Sequence, residues 1–212
     1  PTRPPPRKRC GCWSNGPGGP VIIDTAFDKE IAAKAQRAPA QFDDEAYARM
    51  ISAMGVATKV AVTHEHSDHI GGVARFPVPE RLAERLVLTH AQYEGMGRAT
   101  VDGKVPPVYA ASQIDLTGPT RIAPGVVMIP APGHSPGSVM FFVKLADGKE
   151  VLFIGDIAWV LSNIKDATMR PRFTEQLFMG PEDRGAVGDE VRALHDLSVA
   201  EPALTILPAH DA

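Results

Sequence analysis

Residues 63–72, THEHSDHIGG, place three histidines and two acids within six positions, from His64 to His69. Imidazole nitrogens and carboxylate oxygens are ligands for zinc, iron or manganese, and zinc is the default for this set without thiolates. On an extended segment His64 and His66 point the same way, because they are two positions apart. Asp68 and His69 then turn the opposite way, so one loop can serve two neighbouring metal ions. The alternative is a polar loop that only hydrogen-bonds, and it does not need this density of metal-type side chains.

Three more residues of these types follow predicted strands elsewhere in the chain. His134 follows VVMIP through the turn APGH, Asp156 follows EVLFIG, and His210 follows ALTILPA, while the cluster itself follows KVAVT. Function in α/β sheets collects beyond the carboxyl ends of strands, where rigid strands lead into open loops. We therefore expect four strands to bring their ligands to one edge. The two remaining histidines, His90 and His195, are assigned no role.

The rest of the pattern predicts the elements that position these side chains. Residues 43–54 are typical of a helix, with acids in the first turn and a glycine just past the end, and residues 183–198 are typical of another. Residues 146–149, ADGK, predict a hairpin turn. Strands are predicted at 21–26, 59–63, 126–130, 138–145, 150–155 and 203–207. Strands and helices alternate irregularly, which favours a layered α/β sandwich over a barrel of βαβ units.

Length and composition indicate one soluble globular domain. The 212 residues are 44% hydrophobic and 22% charged, and the net charge is −3 with a pI near 6.2. This charge gives no general attraction to nucleic acid or to an anionic membrane, and no apolar run approaches the roughly 20 residues that span a bilayer. We expect a small-molecule substrate, with neither nucleic acid nor membrane as a partner.

The first twenty residues contain six prolines and four glycines and predict an irregular arm. We accordingly divide the chain into an arm, residues 1–20, and a catalytic domain, residues 21–212. Cys10 and Cys12 are too close for a favourable disulfide and are interpreted as surface thiols, with a two-cysteine metal clip as the alternative. Free thiols slightly favour the cytoplasm.

Five motifs together resemble the metallo-β-lactamase-fold hydrolases: THEHSDHIGG, PGHSPGS (132–138), FIGD (153–156), PAHD (208–211) and the early IIDT (22–25). The resemblance extends over residues 21–210, and the combination is highly specific. It implies a four-layer αββα sandwich of mixed α/β class with two metal ions, zinc by default and iron or manganese as alternatives, in the cleft at the sheet edges.

The resemblance also implies a ligand set. The first metal would be bound by His64, His66 and His134, and the second by Asp68, His69 and His210. Asp156 would bridge the two ions, and Asp24 would orient a ligand histidine by accepting its other N–H. The chain departs from the family where edge elements usually lie, before IIDT and after His210, and an uncovered edge would favour a homodimer.

Seven ligands for two ions leave open positions, which is typical of a catalytic site. The expected reaction is hydrolysis of an ester, lactone or thioester by a hydroxide that bridges the metals, with Asp68 or Asp156 passing a proton to the leaving group. The carboxylate bridge Asp156 resembles that of lactonases and glyoxalase II-like thioesterases, whereas the β-lactamases have cysteine or serine in the related place. Lactonases have a tyrosine three residues beyond the bridge, where this chain has Trp159.

Segment 157–182 is where the family elaborates its substrate pocket. Candidate substrate contacts are Trp159, Arg170, Arg172 and Phe173, with Met169, Phe178 and Met179 as further apolar wall. A role in core packing or as surface charge explains these residues about as well as substrate binding does. The alternatives for function are a mononuclear iron persulfide dioxygenase of the same fold, β-lactam hydrolysis, a nuclease, and a catalytically silent relative.

Overall fold

The computed structural model describes residues 12–16, 18–35, 42–174 and 182–211. Its ten strands form two five-stranded sheets, with the orders β1-β2-β3-β4-β5 and β10-β9-β8-β7-β6. The strands of the first sheet are β1 (Cys12–Gly16), β2 (Gly19–Ile23), β3 (Lys59–Ala61), β4 (Leu86–Thr89) and β5 (Gln113–Ile114). Those of the second are β6 (Thr120–Ala123), β7 (Val126–Pro130), β8 (Val139–Lys144), β9 (Glu150–Phe153) and β10 (Thr205–Leu207).

Helices cover the outer faces of both sheets. The described helices are α1 (Lys29–Ala35), α2 (Asp44–Val56), α3 (Ser67–Ala74), α4 (Pro79–Ala83), α5 (His90–Gly95), α6 (Leu161–Lys165), α7 (Arg172–Thr174) and α8 (Arg184–Ala200). Two 3₁₀ helices span Met96–Ala99 and Pro107–Ser112. In the part of the chain that the structure describes, no helix is long and apolar enough to cross a bilayer.

Alternating burial along the strands builds the layers. In β8, Val139, Phe141 and Val143 are buried between the sheets, whereas Met140 and Phe142 face outward towards the helical layer. The layer between the sheets joins these residues to apolar side chains of β2, β3, β4 and β7. A second cluster packs α2 and α3 on the first sheet, and a third packs α6 and α8 on the second. The predicted αββα order is confirmed.

The predicted helix 43–54 corresponds to α2, whose N-cap Asp43 accepts a hydrogen bond from the backbone N–H of Ala46 at 2.9 Å. The predicted helix 183–198 corresponds to α8, which Asp183 caps in the same way through Ala186. A carboxylate at this position satisfies one of the free N–H groups of the first turn. Both helices therefore begin where local chemistry favours them.

The prediction of an irregular arm was wrong for Cys12–Gly16. These residues form β1, which pairs antiparallel with β2, from Cys12 opposite Ile23 to Gly16 opposite Gly19. Gly19 has a φ of +93°, a conformation that glycine adopts without steric cost. An edge strand tolerates proline and glycine nearby because only one of its sides needs a partner. Residues 1–11 and 17 lie outside the described residues, and the boundary between arm and domain stays a prediction.

Candidate metal centre

The carboxyl ends of five strands meet at one edge of the sandwich. β2 and β3 are parallel neighbours in the first sheet, and β9 and β10 are parallel neighbours in the second. β7 runs in the same direction as β9, because each is antiparallel to β8 between them. The two sheets are joined at this edge by a hydrogen bond of 2.8 Å from the backbone N–H of Val139 to the carbonyl of Thr63. The loops that follow these strands carry the candidate ligands.

Three histidines form the first group of ligand atoms. Nδ1 of His66 lies 3.0 Å from Nε2 of His64 and 3.0 Å from Nε2 of His134. His66 is the N-cap of α3 and has an extended backbone, so the chain turns into the helix just after it. His64 and His134 are buried, and their ring nitrogens together with that of His66 lie within 4.8 Å of one another. Three imidazole nitrogens converging this closely form a suitable site for a cation.

The second group contains Asp68, His69 and His210, which lie on α3 and on the loop after β10. Oδ2 of Asp68 lies 3.8 Å from Nε2 of His69 and 3.9 Å from Nε2 of His210. The backbone N–H of Ala209 donates to the carbonyl of Gly155 at 3.1 Å and so holds the His210 loop against the Asp156 loop. These three side chains also satisfy the distance requirement for a common ion.

Asp156 reaches both groups. Its Oδ1 lies 3.4 Å from Nε2 of His69 and 2.9 Å from Nε2 of His210, and its Oδ2 lies 3.8 Å from Nε2 of His134. With His64 and His69 it forms a third set of potential ligands that shares members with the other two. The structure therefore brings together all seven residues that the sequence analysis named, with Asp156 between the two halves.

Two buried polar atoms test whether a metal fits. Nε2 of His69 and Oδ1 of Asp156 are fully buried and make no hydrogen bond of acceptable geometry, although they face each other across 3.4 Å and Oδ1 lies 2.9 Å from Nε2 of His210. A buried polar atom without a partner costs free energy, so native proteins rarely leave two together. A divalent cation ligated by both would satisfy both at once. The nitrogen and carboxylate donors suit zinc, and the seven residues fit a dinuclear site.

The pKa values of the site's histidines are shifted in opposite directions. Burial lowers the pKa of His64 well below its usual value, and the neighbouring His69 adds to the effect. Burial also lowers the pKa of His66 to about 4. Both imidazoles are therefore neutral at pH 7, with lone pairs available to a metal. Burial would lower the pKa of His69 too, but the carboxylates of Asp24 and Asp156 outweigh it and raise that pKa to about 10.

Asp156 stays anionic in this environment. Burial opposes its ionisation, but the neighbouring His69, His210 and His64 outweigh the burial and hold the pKa of its carboxyl well below the usual value. Trp159 stabilises the same carboxylate, since its Nε1–H donates to Oδ2 at 3.1 Å. A fully ionised carboxylate in the centre of the histidines is what a bridging ligand requires.

Asp24 lies behind the His69 ring and, through the Thr63 hydroxyl, supports the His64 ring. Its Oδ2 lies 3.0 Å from Nδ1 of His69, and its Oδ1 accepts from the backbone N–H of Thr63 at 2.6 Å. The Thr63 hydroxyl donates to Oδ2 at 2.8 Å and lies 3.0 Å from Nδ1 of His64. With hydrogen on both Nδ1 atoms, each ring leaves Nε2 free to face the centre. Asp24 has a φ of 63°, an uncommon conformation at a non-glycine residue that directs its carboxylate to this position.

Glu65 is a buried residue of the site that the sequence analysis passed over. Its Oε2 accepts from the hydroxyl of Ser135 at 2.9 Å, and its Oε1 accepts from the backbone N–H of Gly137 at 3.4 Å. Gln92 reinforces this contact, since its side-chain amide donates to the carbonyls of Val62 at 3.0 Å and Gly137 at 2.8 Å. The loop of His134 is thereby fixed to the loop of His64. Only the position of Glu65 between two candidate ligands gave a signal in the sequence.

The four candidate substrate contacts lie in different environments. Trp159 is half-buried, and its ring is edge-on to His210 with centroids 5.8 Å apart. Arg172 and Phe173 are exposed, the latter by 59%. Arg170 is only 4% exposed, and its Nη1 and Nη2 contact the carbonyl of Asp156 and the ring of His134, so this placement does not support a direct substrate contact. Phe178 and Met179 lie outside the described residues.

The chain is similar to a known protein family and to several individual proteins. A model of the metallo-beta-lactamase superfamily matches residues 13–210. An N-acyl homoserine lactonase from Bacillus cereus is 22% identical over 173 residues, which cover 75% of this chain and 67% of that protein. A crystal structure of a B. thuringiensis AiiA variant, with N-decanoyl-L-homoserine bound at the active site, has a TM-score of 0.67 at 17% identity and covers 94% of this chain and 79% of that one. A probable metal-dependent hydrolase from Staphylococcus aureus has a TM-score of 0.63 at 15% identity, covering 91% and 70%.

Proposed function

The chain belongs to the metallo-beta-lactamase superfamily, and from that premise we propose that it is a dinuclear zinc hydrolase that cleaves a lactone or a related ester or thioester. The observation that carries the proposal is the position of Asp156, whose two oxygens reach the ligand atoms of both groups. One ion would be held by His64, His66 and His134, the other by Asp68, His69 and His210, and Asp156 would contact both. When bound, two such cations supply Lewis-acid chemistry, lowering the pKa of a water between them and polarising a substrate carbonyl.

The protein's own groups prepare the site for this reaction. The buried position of His64, His134 and Asp156 excludes bulk water from one side of the centre, which strengthens every charge interaction there. Asp68 is the more exposed carboxylate, with its side chain 23% accessible. It is therefore placed to carry a proton between the centre and a departing alkoxide or thiolate. Asp156 is held ionised and hydrogen-bonded, so it serves as a ligand and not as the proton carrier.

Lactones are the first substrate class to test. Among the similar proteins, one is named an N-acyl homoserine lactonase and another holds N-decanoyl-L-homoserine at its active site. In this chain, Trp159 stands where lactonases have a tyrosine, and its N–H is already donated to Asp156. A Trp N–H cannot act as a phenolic acid. We therefore expect the substrate carbonyl to be oriented by the metal centre, with Trp159 supplying a wall.

The test is a substrate panel with the zinc-loaded protein and with Asp156→Ala as the control. N-acyl homoserine lactones, simple lactones, thioesters, phosphoesters and a β-lactam are compared under identical conditions. The expected result is hydrolysis of a lactone or another carbonyl ester that chelation abolishes and that the control lacks. Absence of hydrolysis across the panel would contradict the proposal. So would a protein with one iron per chain that consumes oxygen with a persulfide, since that is the chemistry of the dioxygenases of this fold.

A further inference from the structure

A buried ion pair lies behind His134, on the side of the ring away from the ligand cluster. The guanidinium of Arg170 is paired with the carboxylate of Glu182, and the side chains expose only 3% and 1% of their surfaces. We propose that Glu182 is a positioning residue that sets the hydrogen of the His134 ring for metal binding, and that Arg170 holds Glu182 in place. This role rests on the metal centre proposed above and concerns residues that take no direct part in it.

One nitrogen of His134 faces two opposite partners. Nδ1 lies 3.3 Å from Oε2 of Glu182 and 2.9 Å from Nη2 of Arg170. Arginine has only donors, so Nδ1 can accept from Arg170 only when the ring carries its hydrogen on Nε2. Nε2 is the atom that faces His66, and a hydrogen there would block a metal. Donation from Nδ1–H to Glu182 instead leaves the lone pair of Nε2 free.

Glu182 therefore decides which ring nitrogen of His134 is available. Its negative charge favours the form with hydrogen on Nδ1, the same form that Thr63 and Asp24 favour at His64 and His69. A carboxylate behind a ligand imidazole also increases the basicity of the ring and fixes its plane. A neutral or absent group at position 182 would leave Arg170 as the only partner of Nδ1 and would favour the wrong tautomer.

Arg170 connects this carboxylate to the bridge between the two ligand groups. Its Nη1 donates to the carbonyl of Asp156 and, at 3.4 Å, to that of Ile157. Its guanidinium lies 5.3 Å from the centre of the Trp159 ring, an arrangement typical of a cation–π contact. The pair is thus attached to both candidate halves of the centre, through His134 and through the backbone of Asp156. A salt bridge that served only stability would have no reason to contact a ligand ring.

Two variants distinguish a role of Glu182 in positioning His134 from a role in stability alone. Glu182→Met removes the acceptor and leaves Arg170 facing Nδ1, whereas Arg170→Met/Glu182→Met removes the buried charges together, an exchange that cores often tolerate. The matched control is Glu190→Met. The Oε2 of Glu190 is buried without a hydrogen-bond partner, and it lies against Gly133, where a Cβ would come within 2.6 Å of it.

The measurements are zinc affinity by competition with a chromophoric chelator, and the tautomer of His134 by ¹⁵N NMR of the metal-free protein. We expect both Glu182 variants to bind the tighter zinc ion about tenfold to a hundredfold more weakly, as for other losses of a carboxylate behind a ligand histidine. In Glu182→Met the hydrogen of His134 should move from Nδ1 to Nε2. Glu190→Met should change zinc affinity by less than about twofold and leave the tautomer unchanged.

The outcomes distinguish this role from the proposed function. A folded double variant with the zinc affinity of the wild type would overturn the positioning role, because the pair would then serve stability alone. A His134 tautomer that does not respond to Glu182→Met would overturn it as well. A wild-type protein that takes up no zinc would overturn the metal centre itself, and the positioning role with it.

Discussion

Zinc binding should displace a proton from His69. In the metal-free protein this imidazole lies between two carboxylates, with Asp24 at 3.0 Å from Nδ1 and Asp156 at 3.4 Å from Nε2. Burial favours the neutral ring, but the two carboxylates outweigh it and raise the pKa to about 10. A metal at Nε2 needs the lone pair that the proton occupies, so binding and protonation exclude each other.

The size of the effect follows from that pKa. At pH 8 a group with a pKa of about 10 is about 99% protonated, so nearly one proton per chain should leave His69 when zinc binds. Each unit of pH below about 10 should weaken the zinc that His69 ligates about tenfold, or about 1.4 kcal/mol. Between pH 9 and pH 7 the affinity should fall about a hundredfold on this account.

The raised pKa of His69 also makes the stability of the metal-free protein depend on pH. The folded-state pKa of His69 is raised above its ordinary value of 6.5, so the protonated form contributes stability that is fully present below about pH 6.5 and lost as pH rises through about 10. The melting temperature of the metal-free protein should therefore fall between about pH 6.5 and about pH 10. A control variant without the effect at His69 corrects for the other groups that titrate in this range.

Calorimetry at pH 8 in two buffers of different ionisation enthalpy measures the protons released. Asp24→Asn isolates His69, because it removes the carboxylate that raises the pKa of His69 most, while an amide oxygen can still accept from Nδ1–H. Any other proton lost on binding is common to both proteins. The variant should release close to one proton fewer, whereas Asp28→Asn, which affects an ion pair with Arg75, should release as many as the wild type. Equal proton release from the wild type and Asp24→Asn would refute the reasoning.

Four further outcomes are expected. Asp156→Ala should reduce bound zinc from two ions to about one and lower turnover by at least about a hundredfold. The control Asp189→Ala, at a surface carboxylate on α8, should change neither quantity. An Asp156→Ala protein with two ions and full turnover would contradict the bridging role. Trp159→Phe should keep both ions by elemental analysis but lower turnover about tenfold, since it loses the N–H to the bridge. Glu65→Ala should lower the free energy of unfolding by about 2 kcal/mol in urea titrations, because it removes the carboxylate that accepts from the Ser135 hydroxyl and from the backbone N–H of Gly137. Deleting residues 1–18 removes β1 and should lower the melting temperature while zinc content persists; an unchanged melting temperature would mean that β1 adds no stability.

The strands that hold the site could be predicted because their signal is local. VVMIP was placed at 126–130, the bounds of β7, since a short apolar run bounded by turns has few other structural solutions. The helices α4 and α5 were missed, and the reason is their length of five and six residues. Helices this short are not stable alone and form only when tertiary packing supports them. β4, which lies between them, has no turn signal of its own to mark its ends.

The candidate site also contains residues that the sequence could predict and residues that it could not. The candidate ligands could be found because histidine and aspartate at strand ends are a pattern along the chain. The groups behind them could not, since Glu182 lies 48 residues from His134 and Glu65 lies 70 residues from Ser135. Nothing in a single sequence relates such pairs until the sheets are assembled. Arg170 shows the consequence: charge and location indicated a substrate contact, whereas the fold buries it against Glu182.

The same arrangement occurs behind three of the site's histidines. Each of three candidate ligand rings has its own acceptor behind it: Thr63 behind His64, Asp24 behind His69 and Glu182 behind His134. Each acceptor can hold the ring hydrogen on Nδ1, so that all three rings present Nε2 to the centre. The cost of burying carboxylates without full compensation is high in a protein interior, and a bound divalent cation would offset it. The chain therefore has its donors arranged before a metal arrives, and metal binding should stabilise the fold and organise the site in the same step.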